Sequence, residues 1–151
     1  MKIMVTLAVG IAVALAVAAQ AFAISGGSAD HFSVLLLNGN TGKPISNESI
    51  LIGVDRNDPN RNQLRGKTDA NGSVTFYYKT AAPNSISLIY SKAEDCSYAR
   101  THYSTSDVLA IGLVAENKCD ASLQYSGKPK PGQLVVFAKP VSPWQRMIRE
   151  L

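Results

Sequence analysis

The chain is poor in the residues that most chemistry needs. Only two histidines, two cysteines and one tryptophan occur among its 151 residues. His31 and His102 are not paired at ligand spacing with each other or with a cysteine pair, so no metal site of the usual spacing can be written. No cofactor is expected. Charge is also sparse, at 17% of residues. The basic residues are scattered, and the densest stretch, Arg56 to Lys67, is interrupted by Asp55 and Asp58. Nucleic-acid binding calls for a basic stripe interleaved with stacking aromatics, and that class is excluded. Internal repeats and low-complexity tracts are lacking too.

What is there begins with an apolar leader. Lys2 is the only charge in the first 23 residues, Ile3 to Ala19 is almost wholly apolar, and Ala21-Phe22-Ala23 follows. A positive start, an apolar stretch and an A-x-A end describe a secretory signal cleaved after Ala23, with Ala21 and Ala23 as the small residues read by the peptidase. The alternative is a retained inner-membrane anchor, since the run is close to the ~17–20 residues that cross a bilayer. Membrane association through an uncleaved N-terminus stays open on that reading. No cysteine follows the run, which argues against a lipoprotein anchor. The expected compartment is therefore periplasmic or secreted. There, Cys96 and Cys119 read as one disulfide, worth about 3 kcal/mol by loop closure.

Beyond the leader the apolar pattern has period two. Phe32, Val34 and Leu36 form one run; Ile50, Ile52 and Val54 a second; Val74, Phe76 and Tyr78 a third. Ile86, Leu88 and Tyr90 form a fourth, Leu109, Ile111 and Leu113 a fifth, and Leu134, Val136 and Ala138 a sixth. Alternation over such short runs marks half-buried strands. Asn, Gly and Pro fill the gaps, and the prolines stay outside the runs as ladder bonding requires. These features predict an all-β sandwich of two antiparallel sheets. The boundaries follow: signal peptide 1–23, linker 24–31, sandwich 32–140, and a C-terminal segment 141–151. In the last, Trp144, Met147, Ile148 and Leu151 at i, i+3, i+4 and i+7 predict a short amphipathic helix. The polar stretch 56–62 is expected to project as a loop.

Residues 34–52 read as a strand, the turn Thr41-Gly42-Lys43-Pro44-Ile45 and a second strand. Lys67-Thr68-Asp69-Ala70-Asn71-Gly72 and a third strand follow. This stretch resembles the carboxypeptidase regulatory-like domain, within the transthyretin-like (prealbumin-like) group of β-sandwiches. The resemblance covers roughly Phe32 to Tyr78. It implies a seven-stranded antiparallel Greek-key sandwich, transthyretin-like or immunoglobulin-like. Gly42, Pro44, Asp69 and Gly72 would be its structural turn residues: Gly42 and Pro44 reverse the chain, Asp69 caps a turn and Gly72 takes a left-handed conformation. The family's chemical branches are not matched. The hydroxyisourate hydrolase branch needs paired histidines with an arginine and a Y-R-G-S-like end, where this chain reads Gln145 to Leu151. The Cna-B isopeptide crosslink needs a lysine on the first strand, and Phe32 to Leu37 has none.

Other candidates are weaker than their bland readings. His102, Ser104, Ser106 and Asp107 lie close in sequence, but a catalytic triad needs groups converging in space. Asp55, Asn57, Asp58 and Asn60 fall short of the calcium-loop pattern. Six tyrosines and Trp144 are too many for one small core, so some must reach the surface. Tyr77, Lys79, Tyr98 and Tyr103 are the candidate binding surface. The expected function is non-enzymatic: an accessory module that binds a protein or carbohydrate at the cell envelope. The alternatives are a structural envelope protein held by an uncleaved N-terminus, and a transthyretin-like hydrolase.

Overall fold

In a computed structural model, strand alternation sorts the side chains into one shared interior. The structure describes residues 30–54, 63–78, 82–97, 102–142 and 144–145. The signal peptide with Ala21 and Ala23, most of the linker, the loop 56–62 and most of the C-terminal helix lie outside the described residues. The described elements are β1 (His31–Asn38), β2 (Ser49–Val54), β3 (Gln63–Lys67), β4 (Ser73–Tyr77), β5 (Ser85–Tyr90), β6 (Ala93–Asp95), β7 (Tyr103–Ser104), α1 (Thr105–Ile111), β8 (Leu113–Val114) and β9 (Gln133–Pro140). They form two sheets. The first runs β4-β1-β9-β6 with β8 also beside β9, and the second runs β3-β2-β5-β7.

Phe32, Val34, Leu36, Ile50, Ile52, Phe76, Ile86, Leu88, Leu134 and Val136 meet between the sheets and are buried. Phe32 and Phe76, opposite each other on β1 and β4, stack with centroids 5.7 Å apart. Each such side chain removed from water contributes roughly 1.5–3 kcal/mol, which is what holds the layers together.

Two expectations are corrected. The sheets are not wholly antiparallel: β1 and β9 run parallel, as do β8 and β9. A parallel neighbour needs a long crossover, and the period-two pattern is identical for either direction, so alternation alone is blind to it. The fifth apolar run is not a strand either, because most of it lies in α1. Ser104 caps that helix through the Asp107 N–H, Asp107 sits in its first turn, and Gly112 ends it at φ 74°. The helix buries Thr105 and Val108, three apart, and leaves Ile111 65% exposed. Cap, acidic first turn and terminal glycine were all in the sequence, and they outrank a three-residue alternation.

The two halves of the turn motif meet in space. Asp69 Oδ1 accepts from the Asn71 and Ser73 N–H groups at 2.9 and 2.8 Å. The Leu36 N–H donates to the Gly72 carbonyl at 2.8 Å, and the Ile45 N–H donates to the Leu36 carbonyl at 3.0 Å. Thr68, buried, closes the junction: its hydroxyl donates to the Ile45 carbonyl (2.8 Å) and accepts from the Glu48 N–H (2.9 Å). The buried Glu48 carboxylate in turn accepts from the Lys92 N–H and the Ser91 hydroxyl.

The outer face of the first sheet is roofed. Val135 and Phe137 point away from the main core yet are buried, with Leu37 and Cys96, and Leu35 and Tyr125 pack on them. Residues 117–125 supply the cover, through Tyr125 and the Cys119 bridge. A disulfide between Cys96 and Cys119, Cα atoms 5.1 Å apart, pins this segment. Asn117, 0% exposed, pins it again. Its amide donates to the Gly39 and Leu123 carbonyls (2.7 and 3.0 Å), and its oxygen accepts from the Cys119 N–H (3.1 Å). Gly39 carries no side chain because a Cβ there would stand 2.6 Å from Cys96 Sγ.

Candidate interaction face

The second sheet has no such roof among the described residues. Its outward positions can be read across the register. Arg65 stands opposite Leu51, and Leu51 opposite Ile89. One step along, Lys67 stands opposite Ser49, whose carbonyl accepts from the Ser91 N–H at 3.1 Å. Together these residues line a hollow of about 480 Å³. The small side chains of Ser49 and Ser91 leave the space open. Arg65 and Lys67 form one wall, and Ile89, 56% exposed, stands on the other side.

The electrostatics of this face are one-sided. The described outward residues of β3, β2 and β5 include two cations and no carboxylate. Neither Arg65 nor Lys67 forms a salt bridge among the described residues. The hollow's described lining is therefore cationic on one side and aliphatic on the other, with the exposed Ser49 and Ser91 at one end.

Tyr90 lines the hollow with its backbone while its ring turns inward. Its hydroxyl is buried with no hydrogen-bond partner among the described residues. Burial pushes that phenol well above its ordinary value of 10.0, and the nearby Asp95 carboxylate pushes it the same way. Burial also raises Tyr103. The folded state thus retains these protons where the unfolded chain releases them. The stability they support is fully present below pH 10 and is lost as pH rises beyond it. Tyr90→Phe is expected to stabilise the fold by about 1 kcal/mol, because an unsatisfied buried hydroxyl disappears. It should also flatten the alkaline loss. Urea midpoints at pH 7 and at alkaline pH check both.

The residues singled out from sequence are not gathered in one place. Tyr77 lies on β4, 65% exposed, with the His31 ring 5.3 Å from its own. The His31 ring hydrogen-bonds Asp30 at 2.6 Å, which holds that carboxyl below its usual range. Tyr103 lies on β7 of the other sheet, half-buried against the core, and its hydroxyl donates to Ser97 at 3.1 Å. Lys79 and Tyr98 lie outside the described residues. Gly42 and Gly72 take φ 69° and 73°, and Pro44 bridges to Leu37. His102 is exposed, Ser104 and Ser106 bond each other at 2.9 Å, and Asp107 serves the helix cap. No three metal-ligating side chains gather among the described residues, and no described helix is long and apolar enough to cross a membrane.

Leu51, Arg65, Lys67 and Ile89 were not singled out from sequence. The signal for two of them was available: Leu51 and Ile89 are large apolar residues at the outward positions of runs whose inward positions were already filled. Arg65 and Lys67 belong to β3, whose Gln-Leu-Arg-Gly-Lys has no apolar alternation to announce a strand. Comparison of the chain with protein-family models, with curated proteins and with solved structures finds no match.

Proposed function

We propose that this chain is a non-catalytic binding domain of an oxidising, exported compartment, built as a transthyretin-like sandwich that presents the outer face of its second sheet to a partner. The observation that carries the reading is the contrast between the two outer faces. One is closed by a covalently pinned roof. The other keeps an aliphatic pair and two cations, neither in a salt bridge among the described residues, around a hollow. The exposed Ile89 beside two cations offers a partner apolar contact and charge together. The disulfide is compatible with an exported compartment, since such bonds persist where the surroundings are oxidising. The Thr68 junction supports the family reading by giving both halves of the turn motif one shared structural task.

Of the two ligand classes expected, a protein fits this face better than a carbohydrate. Sugar recognition stacks aromatic rings on pyranose faces. Among the described residues the one aromatic lining the hollow, Tyr90, directs its ring into the core. A photo-crosslinking residue placed at position 89 in the native host should yield one discrete protein adduct. The same residue at exposed position 124, on the roof, should yield none. Absence of an adduct at 89, or equal labelling at both, overturns the reading.

A further inference from the structure

The hollow also limits what kind of partner can fill it. We infer that it docks an extended acidic segment of a partner protein, in which a carboxylate residue stands two positions from an apolar one. This inference rests on the binding-domain reading above and adds the chemistry of the partner.

The spacing sets the motif. Neighbouring strands lie about 4.8 Å apart, so the middle of the Leu51–Ile89 pair is about 7 Å from the Arg65 column. Same-face side chains of an extended peptide repeat every ~6.6–6.8 Å. A segment crossing the strands can therefore set a carboxylate on the wall of Arg65 and Lys67. Its residue two positions away then falls on Leu51 and Ile89. Arg65 and Lys67 are two apart on one face of β3, side by side across the path of the segment, so both can serve one carboxylate. The carboxylate supplies the charge that the described face lacks, and the apolar side chain covers the exposed Ile89.

Other occupants fit less well. A second copy docked face to face would set Arg65 and Lys67 near their own images, with no described carboxylate on the face to answer them. A bilayer surface calls for a broad band of protruding apolar side chains, whereas among the described residues of this face only Ile89 is a large apolar side chain more than half exposed.

The test is to pan a displayed library of random linear peptides against the purified, disulfide-bonded chain. Affinities of the enriched peptides are then measured by fluorescence anisotropy at low and high salt. Enriched sequences should share an Asp or Glu two positions from Leu, Ile, Val or Phe, and their binding should weaken with salt. The double variant Arg65→Ala/Lys67→Ala should bind about tenfold more weakly and lose most of the salt dependence. Ile89→Ser should also cost about tenfold. Tyr77→Ser, on the other sheet, should change nothing. Melting temperatures of all variants establish that they are folded, which their exposed positions favour.

Enriched peptides without acidic residues would overturn the inference, as would binding indifferent to positions 65, 67 and 89, or no enrichment at all. Peptides that depend on Tyr77 alone would overturn it too, while leaving a binding domain standing with its site elsewhere. Retention only on vesicles of phosphatidylglycerol and phosphatidylcholine, or only on a glycan array, would likewise exclude a peptide partner.

Discussion

Gly72→Ala is expected to lower the unfolding free energy by about 3 kcal/mol, and Gly132→Ala by only about 1 kcal/mol. Both glycines have positive φ, 73° and 79°, so both substitutions carry the ~1–2 kcal/mol left-handed penalty of an L-residue. They differ in what the new methyl meets. At Gly132 nothing lies within 4 Å. At Gly72 the Cβ would stand 2.7 Å from the Leu36 carbonyl oxygen and 2.9 Å from Pro44 Cβ. The Leu36 atom is backbone on a central strand and cannot swing aside. Relief means shifting β1 or breaking the Leu36 N–H to Gly72 carbonyl bond, at a further cost of about 1–2 kcal/mol. Urea or guanidinium midpoints for the two variants give the comparison directly. Equal losses would show that the junction of the two turn halves is soft.

The second large effect is expected at the roof. Serine at both Cys96 and Cys119 should cost about 3 kcal/mol by loop closure, given a sequence separation of 23. The loss should not be spread evenly. The main core between the sheets does not depend on the bridge, whereas residues 117–125 are held over Leu37, Val135 and Phe137 by it and by Asn117. Hydrogen exchange should therefore accelerate first in 117–125 and at Phe137, at urea concentrations where β1, β2 and β5 stay protected. Uniform loss of protection would show that roof and sandwich unfold as one unit. Asn117→Ala in the serine background should cost less than in the disulfide-bonded chain, because the two anchors hold the same segment.

How much of this was legible in advance varies from element to element. β2, β4 and β5 were legible because each has one face in the core and one outside, and that condition writes itself as alternation; β1 shows it in Phe32, Val34 and Leu36, although Leu35 and Leu37 pack under the roof. The disulfide was legible from two cysteines and an apolar leader. In β9 only half the story was visible: Leu134, Val136 and Ala138 alternate, but Val135 and Phe137 between them are buried as well. A strand roofed on its outer face loses its alternation, and nothing in Gln133–Pro140 says which segment supplies the roof. The run Leu109, Ile111 and Leu113 reads as a strand because its residues alternate across the end of a helix. The candidate face was the least legible, since it is assembled from β2, β3 and β5, and β3 carries no hydrophobic signature of its own.

By itself the sequence determined that this chain makes pleated strands around a greasy interior, reverses them at 41–45 and 69–72, and crosslinks Cys96 to Cys119. Those outcomes depend on solvent preference, backbone freedom and thiol chemistry, which belong to individual residues and their near neighbours. Only the tertiary structure decided that β9 returns parallel to β1, that residues 117–125 cover one sheet, and that Arg65, Lys67, Leu51 and Ile89 share a face that no other described segment covers. Pairing direction and the meeting of distant segments depend on where a strand is placed, and alternation reads the same whichever neighbour it finds.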